Sequence, residues 1–404
     1  MNKKHINNDY VQGRVIVAFR EDPTYLNSLI FFEKNSVVNG IEVEGIEILH
    51  RPHDPQYSSH YPEKSACDHH IALIRLKDKK KETTIKAIDI LKQNPHVLYA
   101  EPDCLMHLDR VSNDPHFSVL WGMKKIRVPS AWNGFYGSAQ VVVGVVDSGI
   151  DYHHQDLVNN IWANQGGEGN CGWDFFYDAH DPMDKNSHGT HVAGTIGAVG
   201  NNGIGVVGVN WNVKMAALKI TGNSGVVCAS AAIKAIEYGI DNKIPVLNNS
   251  WGGRIYCESL KATIDQYGGL FIASAGNNGL DNDIYPHYPA SYECDNIISV
   301  AATDYSDVLT SFSNYGASTI DIAAPGTEIY SSVLNDSYGF KSGTSMAAPH
   351  VAGAAALLKG YRPDLSTPEI KDIILSSVDR IPSLYGKVLT DGRLNVNAMF
   401  DMAS

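Results

Sequence analysis

The 404-residue sequence has no run of apolar residues approaching the roughly 18 to 20 that cross a bilayer. No membrane-spanning segment is therefore expected. The first eight residues, Met1 to Asn8, carry lysines but no apolar stretch behind them, so a secretory leader is not visible: either the chain stays inside the cell or a leader has been removed. Cysteine is sparse: six in all, none in CxxC spacing. The even count leaves open both disulfides and isolated buried thiols. Basic excess is missing too. Residues 1–112 hold 15 Lys/Arg against 16 Asp/Glu, leaving 17 against 28 in the remainder, so nearly all of the net charge of −12 lies there. A nucleic-acid or anionic-membrane partner would need a basic face, so neither is expected.

The chain is long enough for a large domain and a smaller companion. In the first part, residues 13–20 and 70–77 read as strands and Thr83–Asn94 as an amphipathic helix with Ile85, Ile88 and Leu91 on one face. A small α+β domain follows. The polar stretch Asp109–Pro115 is the linker, which sets the domains at 1–112 and 113–404. From Val141 the pattern changes to nearly continuous apolar runs (141–146, 216–220, 246–249, 270–275, 297–302), each read as a strand followed by a Gly-rich turn and a helix. Strands buried on both faces belong to a mostly parallel sheet with helices on both sides, whose chemistry gathers beyond the carboxyl ends of the strands.

Three segments carry residues suited to such a crevice. Val143–Asp151 places Asp147 at a strand end. Asn186–Thr195 places His188 at the mouth of a helix of small residues, with His191 one turn further on. Those two histidines could form a metal pair, but no Glu follows the first as in a zincin, and His191 reads as a hydrogen-bonded interior residue. Phe340–Gly353 places Ser345 at a helix N-terminus, where unpaired N–H groups favour a developing anion. A serine hydroxyl is a poor nucleophile unless a histidine takes its proton and an acid holds that histidine in the right tautomer. All three groups are present, in the order Asp, His, Ser.

In these segments, Asp-Ser-Gly, His-Gly-Thr-His-Val-Ala-Gly and Gly-Thr-Ser-Met-Ala-Ala-Pro-His-Val-Ala-Gly, the sequence resembles the subtilases, from about Asn113 to the C-terminus. The resemblance implies a serine endopeptidase of subtilisin-like fold with Asp147, His188 and Ser345 as its triad and Asn277, in Ala-Gly-Asn-Asn-Gly, as oxyanion donor. It implies that Ser250, Trp251, Gly252 and Gly253 pair with the peptide substrate as an added strand, with Ser224 and Gly225 in the opposite wall and Asn278 lining the first pocket. It further implies structural calcium, held by Asp114, Asp156, Asn202 and the carbonyls of Ile204 and Val206. Asp321 is a weaker second candidate for a cation, and the acidic insert Asp174–Asp184 is expected to be a solvated loop. Residues 1–112 resemble the ferredoxin-like subtilase propeptide, lengthened at 34–68. By that likeness the segment is an intramolecular inhibitor, released by self-cleavage between Leu108 and Asn113 from a secreted, monomeric enzyme acting on proteins and peptides. Two rivals remain: a non-catalytic module keeping the fold, and a zinc hydrolase using His188 and His191.

Overall fold

The computed structural model describes residues 10–19, 37–38, 41–50, 69–105, 111–163 and 171–404. The chain forms two compact units, Met1–His107 and Leu108–Ser404. That division falls five residues before the boundary expected from the linker composition.

The first unit contains β1 (Tyr10–Phe19), β2 (Val37–Val38), β3 (Ile41–His50), β4 (His70–Leu76), α1 (Lys81–Lys92) and β5 (Val97–Cys104). Its sheet runs β2-β3-β4-β1-β5, every described pairing antiparallel. Alternation explains the burial: Val15, Val17 and Phe19 of β1 and Ala72, Ile74 and Leu76 of β4 face one side, where Ala87, Ile88 and Leu91 of α1 cover them. The sequence reading of strands at 13–20 and 70–77 and a helix at 83–94 omitted β2 and β3. The extra length expected at 34–68 lies partly here and partly outside the described residues.

The second unit begins with two short helices, α2 (Trp121–Lys125) and α3 (Val128–Ala131). Its main sheet contains β6 (Gly137–Asp147), β7 (Gly172–Asp174), β8 (Asn212–Lys219), β9 (Val246–Asn249), β10 (Leu270–Ser274), β11 (Ile297–Thr303), β12 (Ile322–Pro325), β15 (Asp379–Arg380) and β16 (Gly392–Arg393). A separate hairpin pairs β13 (Ile329–Val333) with β14 (Ser337–Lys341). The order is β15-β16-β12-β11-β10-β9-β6-β8-β7, parallel except for the β15–β16 edge. Strands β9 to β12 are buried along their whole length, as continuous apolar runs require.

Helices cover both faces. α4 (His188–Gly197) and α7 (Thr344–Tyr361) lie in one core with Val143, Val145 and Ile272, while α5 (Ala229–Asp241) and α6 (Glu258–Gln266) help form the other, around Leu247 and Phe271. α8 (Thr367–Ser376) and α9 (Val396–Ala403) complete the first of these cores. Fifteen consecutive residues of α7, Thr344 to Leu358, are buried. A helix apolar all round belongs at the centre of a core, and small residues make room for it: a Cβ on Gly353 would come 2.7 Å from Val209 Cβ.

Candidate active site

Asp147, at the carboxyl end of β6, is almost fully buried, and its Oδ1 accepts hydrogen bonds from His188 Nδ1 (2.7 Å) and from the Ser148 amide (2.7 Å). His188 opens α4 and keeps 29% of its side chain exposed. Burial alone would lower its pKa, but the charge and hydrogen bond of Asp147 outweigh that and raise it above the usual imidazole value.

The start of α4 is fixed by Asp184. Its carboxylate accepts from the amides of Asn186, Ser187 and Thr190, from Thr190 Oγ1, and from Ser148 Oγ, which itself accepts the Gly189 amide. The neighbours of the acid and of the histidine are thereby tied together. The expected solvated character of Asp174–Asp184 does not hold at its two ends. Asp174 is buried against Lys219 (2.9 Å), and Asp184 satisfies N–H groups that the first turn of a helix leaves unpaired.

Ser345 is the second residue of α7 and 9% exposed. Its hydroxyl donates to the Ser250 carbonyl at 3.2 Å. Its own carbonyl accepts from Ser250 Oγ at 2.9 Å. That carbonyl would ordinarily take the N–H four residues on, but position 349 is proline and has none. Pro349 thus frees the Ser345 carbonyl for the Ser250 hydroxyl, locking the turn of α7 to the segment after β9.

Asn277 follows β10. Its Oδ1 accepts from Thr344 N (2.8 Å) and Thr344 Oγ1 (3.0 Å), so the amide oxygen is held and the NH2 is left as a donor. Thr344 Oγ1 also accepts from the Gly276 amide at 3.2 Å. Sequence reasoning gave no role to Thr344, Asp184 and Ser148, although Thr344 and Ser148 adjoin Ser345 and Asp147 in the chain and Asp184 shortly precedes His188.

Asp147, His188, Asn277 and Ser345 line one cleft of about 580 Å³. Of the residues expected to hold substrate, Ser250, Trp251, Gly252, Gly225 and Asn278 line it as well. Ser224 is exposed outside it. Gly253 exchanges both backbone hydrogen bonds with Tyr288 (2.8 and 2.7 Å) and has no free pairing edge. His287, which sequence reading passed over, also lines the cleft. His191 is fully buried with Nε2 donating to the Ile329 carbonyl (2.8 Å), and burial lowers its pKa to about 3.

A second cluster joins the residues expected to hold calcium. Asp114 accepts from the amides of Asn201, Asn202 and Gly203. Asp156 accepts from Asn202 Nδ2 (2.9 Å) and the Val206 amide (2.9 Å), and Asn202 Oδ1 accepts from the Ile204 amide (2.8 Å). Both carboxylates are buried, and Asp156 is raised to about 6, first by desolvation, with Asp114 adding to the effect. Among the described residues no three Asp, Glu, His or Cys side chains gather as a metal site. A cation here would use two carboxylates, the Asn202 amide oxygen and backbone carbonyls, a hard all-oxygen set that suits calcium. Asp321 instead accepts the Ser299 amide at 2.7 Å. Cys104, Cys171, Cys228, Cys257 and Cys294 are free thiols, and Cys67 lies outside the described residues. No helix of the described residues is long and apolar enough to cross a membrane.

The sequence pattern of the subtilase family matches residues 138–398. The chain belongs to that family and is a serine endopeptidase, a hydrolase acting on proteins. It is 34% identical to the thermophilic serine proteinase of Bacillus sp. strain AK1 over 399 residues, which is 98% of this chain and 89% of the relative. To thermitase of Thermoactinomyces vulgaris it is 37% identical over 287 residues, 70% of this chain and 96% of thermitase. A solved protease of Pseudoalteromonas arctica PAMC 21717 superposes with a TM-score of 0.63 at 30% identity, covering 73% of this chain and all of that one.

Proposed function

We propose that peptide bonds are cut through an acyl-enzyme in which Ser345 attacks, His188 carries the proton, Asp147 orients and stabilises the imidazolium, and Asn277 Nδ2 with the Ser345 amide receives the oxyanion. The observation that carries this is the 2.7 Å Asp147–His188 hydrogen bond with Ser345 in the same cleft. The hydrogen bond from Ser345 Oγ to Ser250 is given up when its proton passes to His188. Ser345→Ala should abolish hydrolysis of protein substrates; activity surviving that change removes the assignment.

The reading extends to the whole chain. Residues 1–112 are an inhibitory propeptide that the enzyme removes itself, and the mature part is a secreted monomer. Two things support this: the first unit is separately compact, and the alignment with the AK1 proteinase takes in 98% of the chain. N-terminal sequencing of the incubated protein should find a new terminus between Leu108 and Asn113, and Ser345→Ala should stay intact.

Calcium bound at Asp114, Asp156, Asn202 and the carbonyls of Ile204 and Val206 would neutralise two buried carboxylates and tie residues 112–114 to the 201–206 loop. Support comes from the raised pKa of Asp156, the mark of carboxylates buried without a countercharge.

A further inference from the structure

His287 has no part in the reaction above, yet it lines the cleft that holds Ser345 and Asn277. Its ring lies in a gap left by two glycines: a Cβ on Gly252 would stand 2.5 Å from His287 Nε2, and one on Gly276 would stand 3.0 Å from its Cγ. The ring thus spans the space between the 250–253 segment and the 276–278 segment. Its backbone is fixed by the His287 amide donating to Ser291 Oγ (3.1 Å) and by the Gly253–Tyr288 pairing next to it. The ring itself has no hydrogen-bond partner among the described residues, and Nδ1 is shut off from solvent.

The place of this ring relative to the reaction follows from the site. In the proposed reaction a carbonyl attacked by Ser345 has its oxygen at Asn277, and its main chain would run along Ser250–Gly252, which line the same cleft. On that reading the side chain of the same residue would end against the imidazole that fills the gap between Gly252 and Gly276. A neutral imidazole offers one N–H donor and one acceptor. Nδ1 is already shut off, so an apolar side chain laid against the ring would cover Nε2 without pairing it, and burying an unpaired polar group is costly. A side chain ending in a carboxamide offers both an acceptor and a donor. A carboxylate offers acceptors and is favoured by the positive charge of nearby Arg254, which acts on His287.

We infer that His287 makes this peptidase selective for a side chain ending in a carboxamide or carboxylate, glutamine or glutamate, immediately before the cleaved bond. The inference rests on the reading of the cleft as a peptidase site with Ser345 as nucleophile. The test uses the processed full chain and peptides differing only at that position: Gln, Glu, Met, Leu and Phe. Met and Leu match Gln and Glu in size but bring no hydrogen-bonding end. For the unaltered enzyme kcat/KM on Gln should exceed that on Met by about 10-fold or more. His287→Phe keeps a ring of similar size and removes both nitrogens, so this ratio should fall to near one while Met is still cut. His287→Gly should open the gap and raise kcat/KM on Phe relative to Gln. Equal cleavage of Gln and Met by the unaltered enzyme, or an unchanged ratio in His287→Phe, overturns the inference alone. Failure of the unaltered enzyme to cut any peptide overturns the reading of the cleft and the inference with it.

Discussion

His188 is the residue at which two opposed effects are weighed. Desolvation pulls its pKa down, and the buried charge of Asp147 at hydrogen-bond distance pulls it up further. As the proposed base it must be neutral, so kcat/KM should fall on acidification through a midpoint above the usual 6.5 of an imidazole. A pH–rate profile measures this, and a midpoint below 6.5 contradicts it. In the proposed reaction Asn277, its Oδ1 held by Thr344, acts on the transition state alone. Asn277→Ala should therefore lower kcat by about 10² to 10³, the size such a donor has in subtilisin itself, and leave KM little changed. Steady-state kinetics separates the two constants. The four residues of the proposed chemistry were legible because each stands in a motif whose neighbours are constrained. His287 was not. Its role depends on the absence of side chains at Gly252 and Gly276, distant in sequence, and no local spacing records that.

At the scale of elements, the cleft depends on how closely α4 approaches the end of β6. A Cβ on Gly189 would lie 2.1 Å from the Gly149 carbonyl and 3.1 Å from Asp147 Cβ. Gly189→Ala must push the helix, and His188 with it, away from Asp147. It should lose most activity, with about 1 to 3 kcal/mol of stability; kcat/KM and a denaturation midpoint read the two losses. Activity close to that of the unaltered enzyme would mean the helix can shift freely. The central strands were read to within a residue or two at the carboxyl ends that carry the site, because full burial leaves an unbroken apolar run: 246–249 coincides with β9. β3 was missed although Ile41–Glu42–Val43–Glu44 alternates. It sits in a segment set aside as extra length, and an edge-side antiparallel strand has the weaker signature. The β13–β14 hairpin was missed as well. Its residues carry no run of apolar side chains, and three hydroxyls replace them: Ser331 and Ser332 donate to backbone carbonyls of α4, and Ser337 to that of Asn335.

At the scale of the molecule, the loop of residues 201–206 is joined to Asp114 and Asp156 by hydrogen bonds from four backbone amides and a side-chain amide, so a cation there would hold distant stretches of chain at once. Chelation of calcium should lower the thermal midpoint, and calcium in excess should restore it; Asp156→Ala should abolish the difference. The five described cysteines are free, so a thiol reductant should leave the midpoint unchanged. The order of strands in the large sheet has a further consequence. β6 stands between β9 and β8 although roughly a hundred residues separate it from β9. On a ribosome the strand bearing Asp147 emerges long before its neighbour exists, and stays exposed as an open apolar edge until β9 arrives. Assembly of this kind is slow and prone to aggregation. In the proposed reading, a separately compact segment encoded upstream is already available throughout that interval.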